Sequence, residues 1–504
     1  MVQRRGIVLG VHRTRLGVLT RRLLVYTHRW LGIVLGALFI AWFVSGVVMM
    51  YAGMPRLTPG ERLAHLPALD FTTATLAPAA HALGVSPGAL RLGMVDGRPV
   101  YRLTSGRVST AVYADTGAPV GPVDAPTAVA QARRFFPEHR GTIAHDARIV
   151  EPDQWTLEIA RQLPMHRIAV NDAADRMLYV SESTGEVLLE TTATSRRWAY
   201  PGAILHWIYL TPIRRHTEAW AQFIIWTSVL GTFTAVVGVG WGLWRFSPSA
   251  RFRLKRVQSR SPYSGWMAWH HYAGLIFGLT TMTWIFSGLL SMDPWDWHPG
   301  TSPTAAQRAA FAGGAFSIEG LSADDLRKAL QRLGDPREAD VVQSAGRRWL
   351  ATNMGVAPLD AGTARLPLEE QAVADAAYAA MPDAPVADIT ELTSYDSYYY
   401  DRGGELPLPV FRVRYDDPVR TWLYIDATRG TVLRKEERLT RVNRWLYHGL
   451  HSLDFPFLYF RRPLWDVVVI VLSIGGLALS LTPVAPAFAR LRRIFITRRS
   501  GSVG

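Results

Sequence analysis

The sequence predicts a membrane protein, an α-helical bundle of four transmembrane helices built from two parallel repeats that each carry an α+β external domain. Two observations predict this fold class. Four runs of the chain are apolar and nearly free of charge, and about 20 apolar residues are what a helix needs to cross a hydrocarbon core roughly 30 Å thick. The first and third runs, 31–51 and 272–292, also resemble each other, which indicates an internal duplication.

The duplication is clearest where the first and third runs begin, because each is entered through a histidine. The matched residues, 242 positions apart (28 to 270), are His28 with His270, Gly32 with Gly274, Gly36 with Gly278, Trp42 with Trp284, Ser45 with Ser287 and Gly46 with Gly288. Beyond the helices, a separation of 245 positions places Leu205-His206 on Leu450-His451 (205 to 450). The whole chain is therefore interpreted as one unit of helix, external domain and helix, used twice.

The predicted segments follow from the apolar runs and the stretches between them. They are a cytoplasmic arm (1–22), transmembrane helix 1 (23–51), external domain 1 (52–215), transmembrane helix 2 (216–245), a basic loop (246–265), transmembrane helix 3 (266–292), external domain 2 (293–463), transmembrane helix 4 (464–485) and a basic tail (486–504). The arm, the loop and the tail contain arginines and no acidic residue. Short basic segments stay in the cytoplasm, so both termini are expected there and both domains outside.

The formal net charge of +14 does not indicate nucleic-acid binding. The basic residues of the arm, the loop and the tail more than account for it, and their expected partner is the anionic surface of the lipid bilayer. The chain has no cysteine, which excludes disulfides, thiolate metal sites, cysteine-ligated iron–sulfur clusters and covalent haem attachment. A redox centre would have to be held by histidine, methionine, carboxylate or non-covalent contacts.

Each external domain is predicted to be small and to mix helices with strands. Alternating apolar and polar residues interrupted by turn residues predict hairpins, at 99–103 with 111–113 and at 410–415 with 421–425. Helices are predicted at 126–136 and 321–333, the second with Ser322 as its N-cap.

Four histidines are the candidate cofactor-binding residues. Parallel repeats are related by a pseudo-two-fold axis along the membrane normal. This symmetry places His28 opposite His270 near the cytoplasmic face, and His206 opposite His451 near the outer face. Two opposed neutral imidazoles suit a haem iron, which accepts one axial nitrogen on each face of the macrocycle. The matched glycines would let a flat ring or a neighbouring helix approach the backbone.

Other uses of these groups remain open. His271 and His448, which adjoin favoured candidates, and His216, which lies near the outer face, are alternate ligands, whereas His166 is interpreted as a surface residue. A histidine beside tryptophan also serves as a headgroup anchor, and glycines four residues apart often serve only helix packing. A tetrahedral zinc or copper site would need three or four ligands at one place, which only the outer face could supply.

Three motifs carry a resemblance to a known family. They are Tyr-Thr-His-Arg-Trp-Leu-Gly at 26–32, Arg-Trp-Leu-Tyr-His-Gly-Leu-His at 444–451, and hairpins in which a tyrosine precedes a glycine by six positions, as at 179–185 and 424–430. Through these motifs the chain, over residues 20–485, resembles the PepSY-associated transmembrane family of bacterial inner-membrane proteins. That family includes iron-regulated proteins and ferric-siderophore reductases.

The resemblance implies two periplasmic PepSY-like domains, one or two b-type haems held by histidines, and electron transfer outward to a periplasmic ferric chelate during iron uptake. The chain would then be a haem-dependent transmembrane oxidoreductase of the inner membrane, supplied by a cytoplasmic protein or by membrane quinol. The alternative is a non-catalytic module, because PepSY domains resemble peptidase propeptides. In that case the external domains would bind or inhibit a periplasmic protease or sense a ligand, for example through the tyrosines at 395, 398, 399 and 400.

Overall fold

The computed structural model describes residues 5–78, 88–106, 108–254, 257–362, 365–401 and 403–500. The ends of the predicted arm and tail, 1–4 and 501–504, and Lys255 and Arg256 of the predicted basic loop lie outside the described residues. The chain divides into two compact units. The helical unit consists of Met1–Gly53, Trp198–Trp297 and Asn443–Gly504, and the sheet unit consists of Met54–Arg197 and His298–Val442.

These boundaries differ from the predicted ones in two respects. The predicted external domains, 52–215 and 293–463, contribute to a single sheet unit. The residues at both ends of each predicted domain, 52–53, 198–215, 293–297 and 443–463, belong to the helical unit.

The helices of the described residues fall mainly into long apolar stretches and short amphipathic ones. In chain order they are α1 (Arg5–Met49), α2 (Pro59–His65), α3 (Ala125–Phe135), α4 (Ala193–Ala199), α5 (Leu205–Trp207), α6 (Thr211–Arg214), α7 (Thr217–Arg245), α8 (Trp266–Leu290), α9 (Ala305–Ala312), α10 (Ala323–Arg332), α11 (Glu370–Ala380), α12 (Arg438–Arg444), α13 (Pro456–Tyr459), α14 (Leu464–Leu481) and α15 (Val484–Ser500). Two π-helical segments, Tyr200–Ile204 and Trp445–Gly449, directly follow α4 and α12.

Four stretches of the described residues are helical, long and apolar enough to cross a membrane. These four spans are Val18–Met49, Thr217–Arg245, Trp266–Leu290 and Leu464–Arg493. They confirm the four predicted apolar helices. The first begins earlier and the last ends later than predicted, because helix continues into the neighbouring basic segments.

The four spans pack in a ring. α1 and α8 each pack against both α7 and α14, so α1 and α8 lie diagonally across the ring. Glycines on α14 let aromatic residues of the neighbouring helices approach its backbone. A methyl group added at Gly475 would lie 2.2 Å from the Phe277 ring, and one added at Gly476 would lie 2.2 Å from the Phe43 ring. Small residues at a helix interface permit this close packing in a membrane, where no hydrophobic force drives helices together.

The strands of the described residues are short, as is usual for antiparallel sheets. In chain order they are β1 (Ala89–Val95), β2 (Arg98–Ser105), β3 (Val108–Tyr113), β4 (Ala144–Ile149), β5 (Met165–Ala169), β6 (Met177–Ser181), β7 (Val187–Thr191), β8 (Phe252–Leu254), β9 (Val257–Ser259), β10 (Ala339–Ser344), β11 (Arg347–Ala351), β12 (Val356–Pro358), β13 (Val386–Leu392), β14 (Val410–Tyr415), β15 (Trp422–Asp426) and β16 (Val432–Glu436).

The largest sheet is shared by both halves of the sequence. Its six strands have the order β12-β11-β10-β1-β2-β3, and β1 pairs antiparallel with β10 through Leu90 opposite Val341 and Arg91 opposite Asp340. Helix α10 packs on this sheet, and its Ser322 cap accepts a hydrogen bond from the Asp325 backbone while its apolar face is buried. The two external stretches are therefore one folded unit.

Two further sheets have the same strand order. β4-β5-β6-β7 and β13-β14-β15-β16 are both four-stranded and antiparallel, each with its own apolar core. Both predicted hairpins are confirmed: Tyr101 lies opposite Val112 between β2 and β3, and Val413 lies opposite Leu423 between β14 and β15. The predicted helices at 126–136 and 321–333 correspond to α3 and α10.

Candidate functional site

The first pair of candidate histidines, His28 and His270, is named the inner pair after its predicted side. His28 lies on α1 and His270 on α8, and their ring centroids are 6.2 Å apart with the ring planes at 43°. Since α1 and α8 are diagonal in the ring of spans, the two imidazoles meet in the interior of the bundle.

Each inner imidazole is held through Nδ1 by the backbone of a neighbouring span. Nδ1 of His28 donates to the carbonyl of Thr234 on α7 at 2.9 Å. Nδ1 of His270 donates to the carbonyl of Leu479 on α14 at 3.1 Å, and Oγ1 of Thr482 lies 3.3 Å away. A carbonyl only accepts, so Nδ1 carries the proton and Nε2 keeps its lone pair.

A glycine on α7 makes room for the His28 ring. A methyl group added at Gly238 would lie 2.5 Å from Cε1 of His28, whereas one added at Gly240 would meet nothing within 4 Å. Gly238 lies one turn after Thr234, so one face of α7 supplies both the hydrogen-bond acceptor and the space.

The second pair, His206 and His451, is named the outer pair. His206 lies in α5, directly after the π-helical segment Tyr200–Ile204, and His451 lies two residues after the segment Trp445–Gly449. Their ring centroids are 6.1 Å apart with the ring planes at 65°. The two pairs thus have nearly the same separation although they lie on different kinds of element.

A serine on α1 supports His206. Nδ1 of His206 lies 3.1 Å from Oγ of Ser45, and the Ser45 hydroxyl donates to the Trp42 carbonyl at 3.3 Å. Because the hydroxyl proton is used in that bond, Oγ accepts from Nδ1 and the His206 proton lies on Nδ1. Gly46 adjoins the ring as well, since a methyl group added there would lie 3.4 Å from Cε1 of His206.

The equivalent serine on α8 supports His451. Oγ of Ser287 lies 3.1 Å from Nδ1 of His451 and donates to the Trp284 carbonyl at 3.1 Å. The Trp284 carbonyl is also 3.3 Å from Nδ1 of His451, as a second acceptor. A methyl group added at Gly288 would lie 3.5 Å from Cε1 of His451.

All four histidines consequently share one protonation pattern. Each has Nδ1 engaged as a donor, and Nε2 of each makes no hydrogen bond within the described part of the chain. All four side chains are half-buried rather than sealed. A hydrogen bond from one ring nitrogen that orients the other is how proteins hold a metal-binding imidazole.

The outer pair lies outside the spans, and burial favours the neutral form of both imidazoles. Burial, together with the charge of His451, lowers the pKa of His206 to about 3. Burial also lowers the pKa of His451. The neutral imidazole is the form that binds a metal ion.

The two pairs are separated by most of the length of the spans. From His28 to Ser45 an α-helix rises about 26 Å at 1.5 Å per residue, and α1 runs unbroken between them. Aromatic rings fill part of the interval: Phe39 lies 6.1 Å from Trp42, and Phe43 lies 5.9 Å from Trp284.

The two matched tryptophans differ in their hydrogen bonding. Nε1 of Trp42 donates to the His206 carbonyl at 3.0 Å. Nε1 of Trp284 is buried and has no acceptor in the described residues. The same holds for Oγ1 of Thr281, one turn earlier on α8. Unpaired buried donors are rare in proteins, and these two lie on the helix that carries His270 and Ser287.

The four matched glycines that follow the inner histidines on α1 and α8 have different surroundings. A methyl group added at Gly278 would lie 3.0 Å from Val239, and one added at Gly274 would lie 3.6 Å from Leu479. These two glycines therefore serve helix packing. At Gly32 and Gly36 an added methyl group would meet nothing within 4 Å, so both border open space.

The alternate ligands are less suited to a metal than the four candidates. His271 uses both nitrogens, with Nδ1 at 2.7 Å from Oγ of Ser261 and Nε2 at 2.8 Å from the Gly242 carbonyl. His216 is exposed at the start of α7. The His448 ring packs against Tyr447 with the centroids 4.3 Å apart.

The position of His166 differs from the sequence-based interpretation. His166 is buried rather than at the surface, because its Nε2 donates to the Val123 carbonyl at 2.7 Å and its Nδ1 lies 3.0 Å from Nε2 of His145. Tyr399 is also buried and stacks on Tyr424 with the centroids 5.1 Å apart. Tyrosine packing of this kind belongs to the core of the second four-stranded sheet.

The donor set fits an iron porphyrin better than a tetrahedral metal ion. Two imidazoles bound axially to one iron have centroids about 6 Å apart, because a metal–imidazole bond is about 2 Å long and the centroid lies about 1 Å behind the nitrogen. The separations of 6.2 and 6.1 Å agree with this value. A tetrahedral site needs more ligands, and in the described ranges no group of three or more His, Cys, Asp or Glu side chains is placed to hold a metal ion.

Several supporting residues were not identified from the sequence. The repeat matches Ser45 with Ser287 but does not indicate that they contact histidines. The importance of Gly238 becomes visible only in the structure, where it lies against the His28 ring. The acceptors on Thr234 and Leu479 are backbone carbonyls, which any residue type would supply. Comparison with models of known protein families and with curated proteins found no significant match.

Proposed function

We propose that this chain is a b-type haem protein of the bacterial inner membrane that passes electrons across the bilayer to a periplasmic ferric siderophore or other chelated Fe(III). The observation that carries the proposal is the occurrence of two histidine pairs with ring centroids 6.2 and 6.1 Å apart, in which every Nδ1 is engaged and no Nε2 makes a hydrogen bond within the described residues. In this proposal the inner pair holds one haem and the outer pair holds the other.

In this proposal the protein positions the haem-binding imidazoles and separates the two haems from the lipid. The carbonyls of Thr234 and Leu479 fix the inner imidazoles, and the hydroxyls of Ser45 and Ser287 fix the outer ones. A haem b bound between such imidazoles supplies one-electron exchange between Fe(III) and Fe(II). Phe39, Phe43 and the matched tryptophans lie in the interval between the pairs.

The proposed orientation places the inner pair near the cytoplasm, with both chain termini on that side. It is supported by the basic segments, since short arginine-rich loops remain in the cytoplasm. Arg21 lies over the Trp244 ring at 4.2 Å, a typical arrangement at a membrane interface. The electron donor would then be a cytoplasmic protein or membrane quinol, and the sheet unit would face the periplasmic acceptor.

We also propose that the chain arose by duplication of one helix, PepSY-like domain and helix. Supporting contacts recur 245 positions apart: Nε1 of Trp220 donates to the Trp207 carbonyl at 3.0 Å, and Nε1 of Trp465 donates to the Ser452 carbonyl at 2.9 Å. The two four-stranded sheets have the same strand order. The Ser45–His206 and Ser287–His451 contacts are a further matched set.

The proposal of electron transfer is tested with protein reduced by dithionite in the absence of oxygen. Addition of Fe(III) citrate should return the haem spectrum to the oxidised form. Ga(III) citrate is the matched control, because gallium has the same charge and cannot accept an electron under these conditions. Failure of Fe(III) citrate, and of other Fe(III) chelates, to reoxidise the protein would contradict reduction of ferric chelates.

A further inference from the structure

The two histidine pairs differ in the chemistry that supports them, although their ring separations are nearly equal. At the inner pair both Nδ1–H groups donate to backbone carbonyls. At the outer pair the nearest acceptor for each Nδ1–H group is a serine hydroxyl that itself donates to a tryptophan carbonyl, and the Trp284 carbonyl lies farther away, 3.3 Å from Nδ1 of His451. Ser45 and Ser287 are completely buried, so these contacts are not exchanged with water.

The group that accepts the Nδ1 hydrogen bond changes the reduction potential of a metal bound at Nε2 of the same imidazole. A strong acceptor draws the Nδ1 proton away, makes the imidazole a more basic ligand and stabilises the more highly charged Fe(III). An amide carbonyl is a stronger acceptor than a neutral hydroxyl. The outer imidazoles should therefore stabilise Fe(III) less than the inner ones do.

We propose that Ser45 and Ser287 are positioning residues that set the outer centre to a higher reduction potential than the inner centre, so that electrons run from the inner to the outer pair. This inference rests on the proposed function, because it presupposes a haem at each pair. It adds to that function a direction of electron transfer, which follows from the hydrogen bonds to the four histidines.

Two buried charges near the outer pair act in opposite senses, since the Asp454 carboxylate favours positive charge at His451 and the Arg444 guanidinium disfavours it. Asp454 and Arg444 are both buried there, carry opposite charges, and are joined by a hydrogen bond of 2.6 Å from the guanidinium to the Asp454 carbonyl. On the inner side Arg29 lies over the Tyr26 ring at 5.3 Å, towards the rim of the bundle, where solvent ions screen charge. The hydrogen bonds, in contrast, act directly on the ligands.

The test is an optical redox titration of the full chain and of variants that retain one pair. His28→Ala removes an inner ligand and leaves the outer centre. His206→Ala removes an outer ligand and leaves the inner centre. The centre that remains in His28→Ala should have the higher midpoint potential. Equal potentials, or the reverse order, would overturn the inference. Protein without haem would instead contradict the proposed function.

Serine variants test the mechanism of the difference. In Ser45→Ala, Nδ1 of His206 loses its acceptor, and the outer midpoint should rise. The expected change is about tenfold in the ratio of oxidised to reduced outer haem at fixed potential, equal to about 59 mV for one electron. In Ser287→Ala the rise should be smaller, because the Trp284 carbonyl remains 3.3 Å from Nδ1 of His451.

The matched control acts on the other pair. Thr482→Val removes the second contact of His270, at 3.3 Å, and should shift only the inner midpoint. An outer midpoint unchanged in Ser45→Ala, with both haems retained and six-coordinate, would overturn the role given to the serine. If Ser45→Ala fails to bind the outer haem, the order of potentials in the single-pair variants still decides the inference.

Discussion

In the sheet unit and in the helical unit alike, residues from the first half of the sequence meet residues from the second half. In the sheet unit the joint is β1 paired with β10, where Arg91 donates to Asp340 at 2.8 Å and Arg62 donates to Glu338 at 2.7 Å. In the helical unit the halves meet at the inner and outer histidine pairs, whose rings are 6.2 and 6.1 Å apart.

The difference lies in whether each joint is complete. At the sheet joint Arg62, Arg91, Glu338 and Asp340 each have an oppositely charged partner, and Glu338 is only 9% exposed. Such a joint needs nothing further. At the histidine joints Nδ1 of each ring is engaged, and Nε2 of each ring makes no hydrogen bond within the described residues. We therefore propose a structural role for the sheet joint and a cofactor-binding role for the histidine joints.

The largest expected effect follows from removing a ligand. His28→Ala or His206→Ala should halve the haem bound per chain, and the double variant should be colourless, because each pair is proposed to hold one haem. The measurement is the pyridine haemochrome absorbance per protein. His216→Ala, at an exposed histidine, is the control and should leave the ratio unchanged. Full haem content in the double variant would show that the histidines are not the ligands.

Crowding the inner pair should have the next largest effect. Gly238→Ala places a methyl group 2.5 Å from Cε1 of His28, so the ring must move and the inner haem should be lost or become five-coordinate. Gly240→Ala on the same helix meets nothing within 4 Å and should bind haem normally. Identical spectra for the two variants would mean that α7 is not packed against His28.

Breaking the sheet joint should lower stability without affecting haem. Glu338→Ala leaves Arg62, whose side chain is 18% exposed, without its carboxylate partner, and removal of one partner from a buried ion pair costs about 3–5 kcal/mol. Arg91 is 40% exposed and keeps Asp340 as a partner, so it adds little to this loss. Thermal unfolding followed by circular dichroism measures this loss. Haem content in the folded protein should match wild type, and a loss of haem would show that the joints are not independent.

The same carboxylate makes the sheet joint sensitive to acid. Burial alone would raise the pKa of Glu338, but its hydrogen bond with Arg62 and the charges of Arg91 and Arg62 outweigh burial and hold the pKa below the usual 4.5. Its contribution to stability is therefore complete above about pH 4.5 and is lost as the pH falls through the lower folded value. Melting temperatures measured from pH 7 down to 3 should fall more steeply for wild type than for Glu338→Gln.

The smallest effect is expected at an exposed ion pair of the sheet unit. Asp416 and Arg420 form a salt bridge between residues four positions apart in sequence, and both side chains are more than half exposed. Asp416→Ala should change stability by less than about 1 kcal/mol, since exposed pairs are screened by solvent. A loss as large as that of Glu338→Ala would remove the distinction between buried and exposed pairs on which the comparison depends.

The sequence alone predicts the histidine joints better than the sheet joint. A repeat separation of 242 positions matches His28 to His270, and axial symmetry then places them opposite each other, which is the arrangement observed. The β1–β10 pairing has no comparable signal. Strand pairing across more than two hundred residues depends on how the whole unit folds and not on a local pattern within β1 or β10.

The detail of the site was predictable only in part. Matching marks Ser45 and Ser287 as repeated but does not distinguish a hydrogen-bond acceptor from a helix-packing residue. His270 and His271 are adjacent, and their roles separate only when the contacts of each ring are known: His271 has both nitrogens engaged, and His270 has one free. Backbone acceptors such as the Thr234 carbonyl have no signature in any sequence.

The optical spectrum of the purified full chain, with the haem-to-protein ratio, tests directly whether the paired histidines hold haem. Protein from haem-replete cells should be red, with the reduced spectrum of six-coordinate b haem and one haem for each histidine pair. Colourless protein, or haem whose spectrum shows no histidine on either face, would contradict the proposal that the paired histidines hold haem.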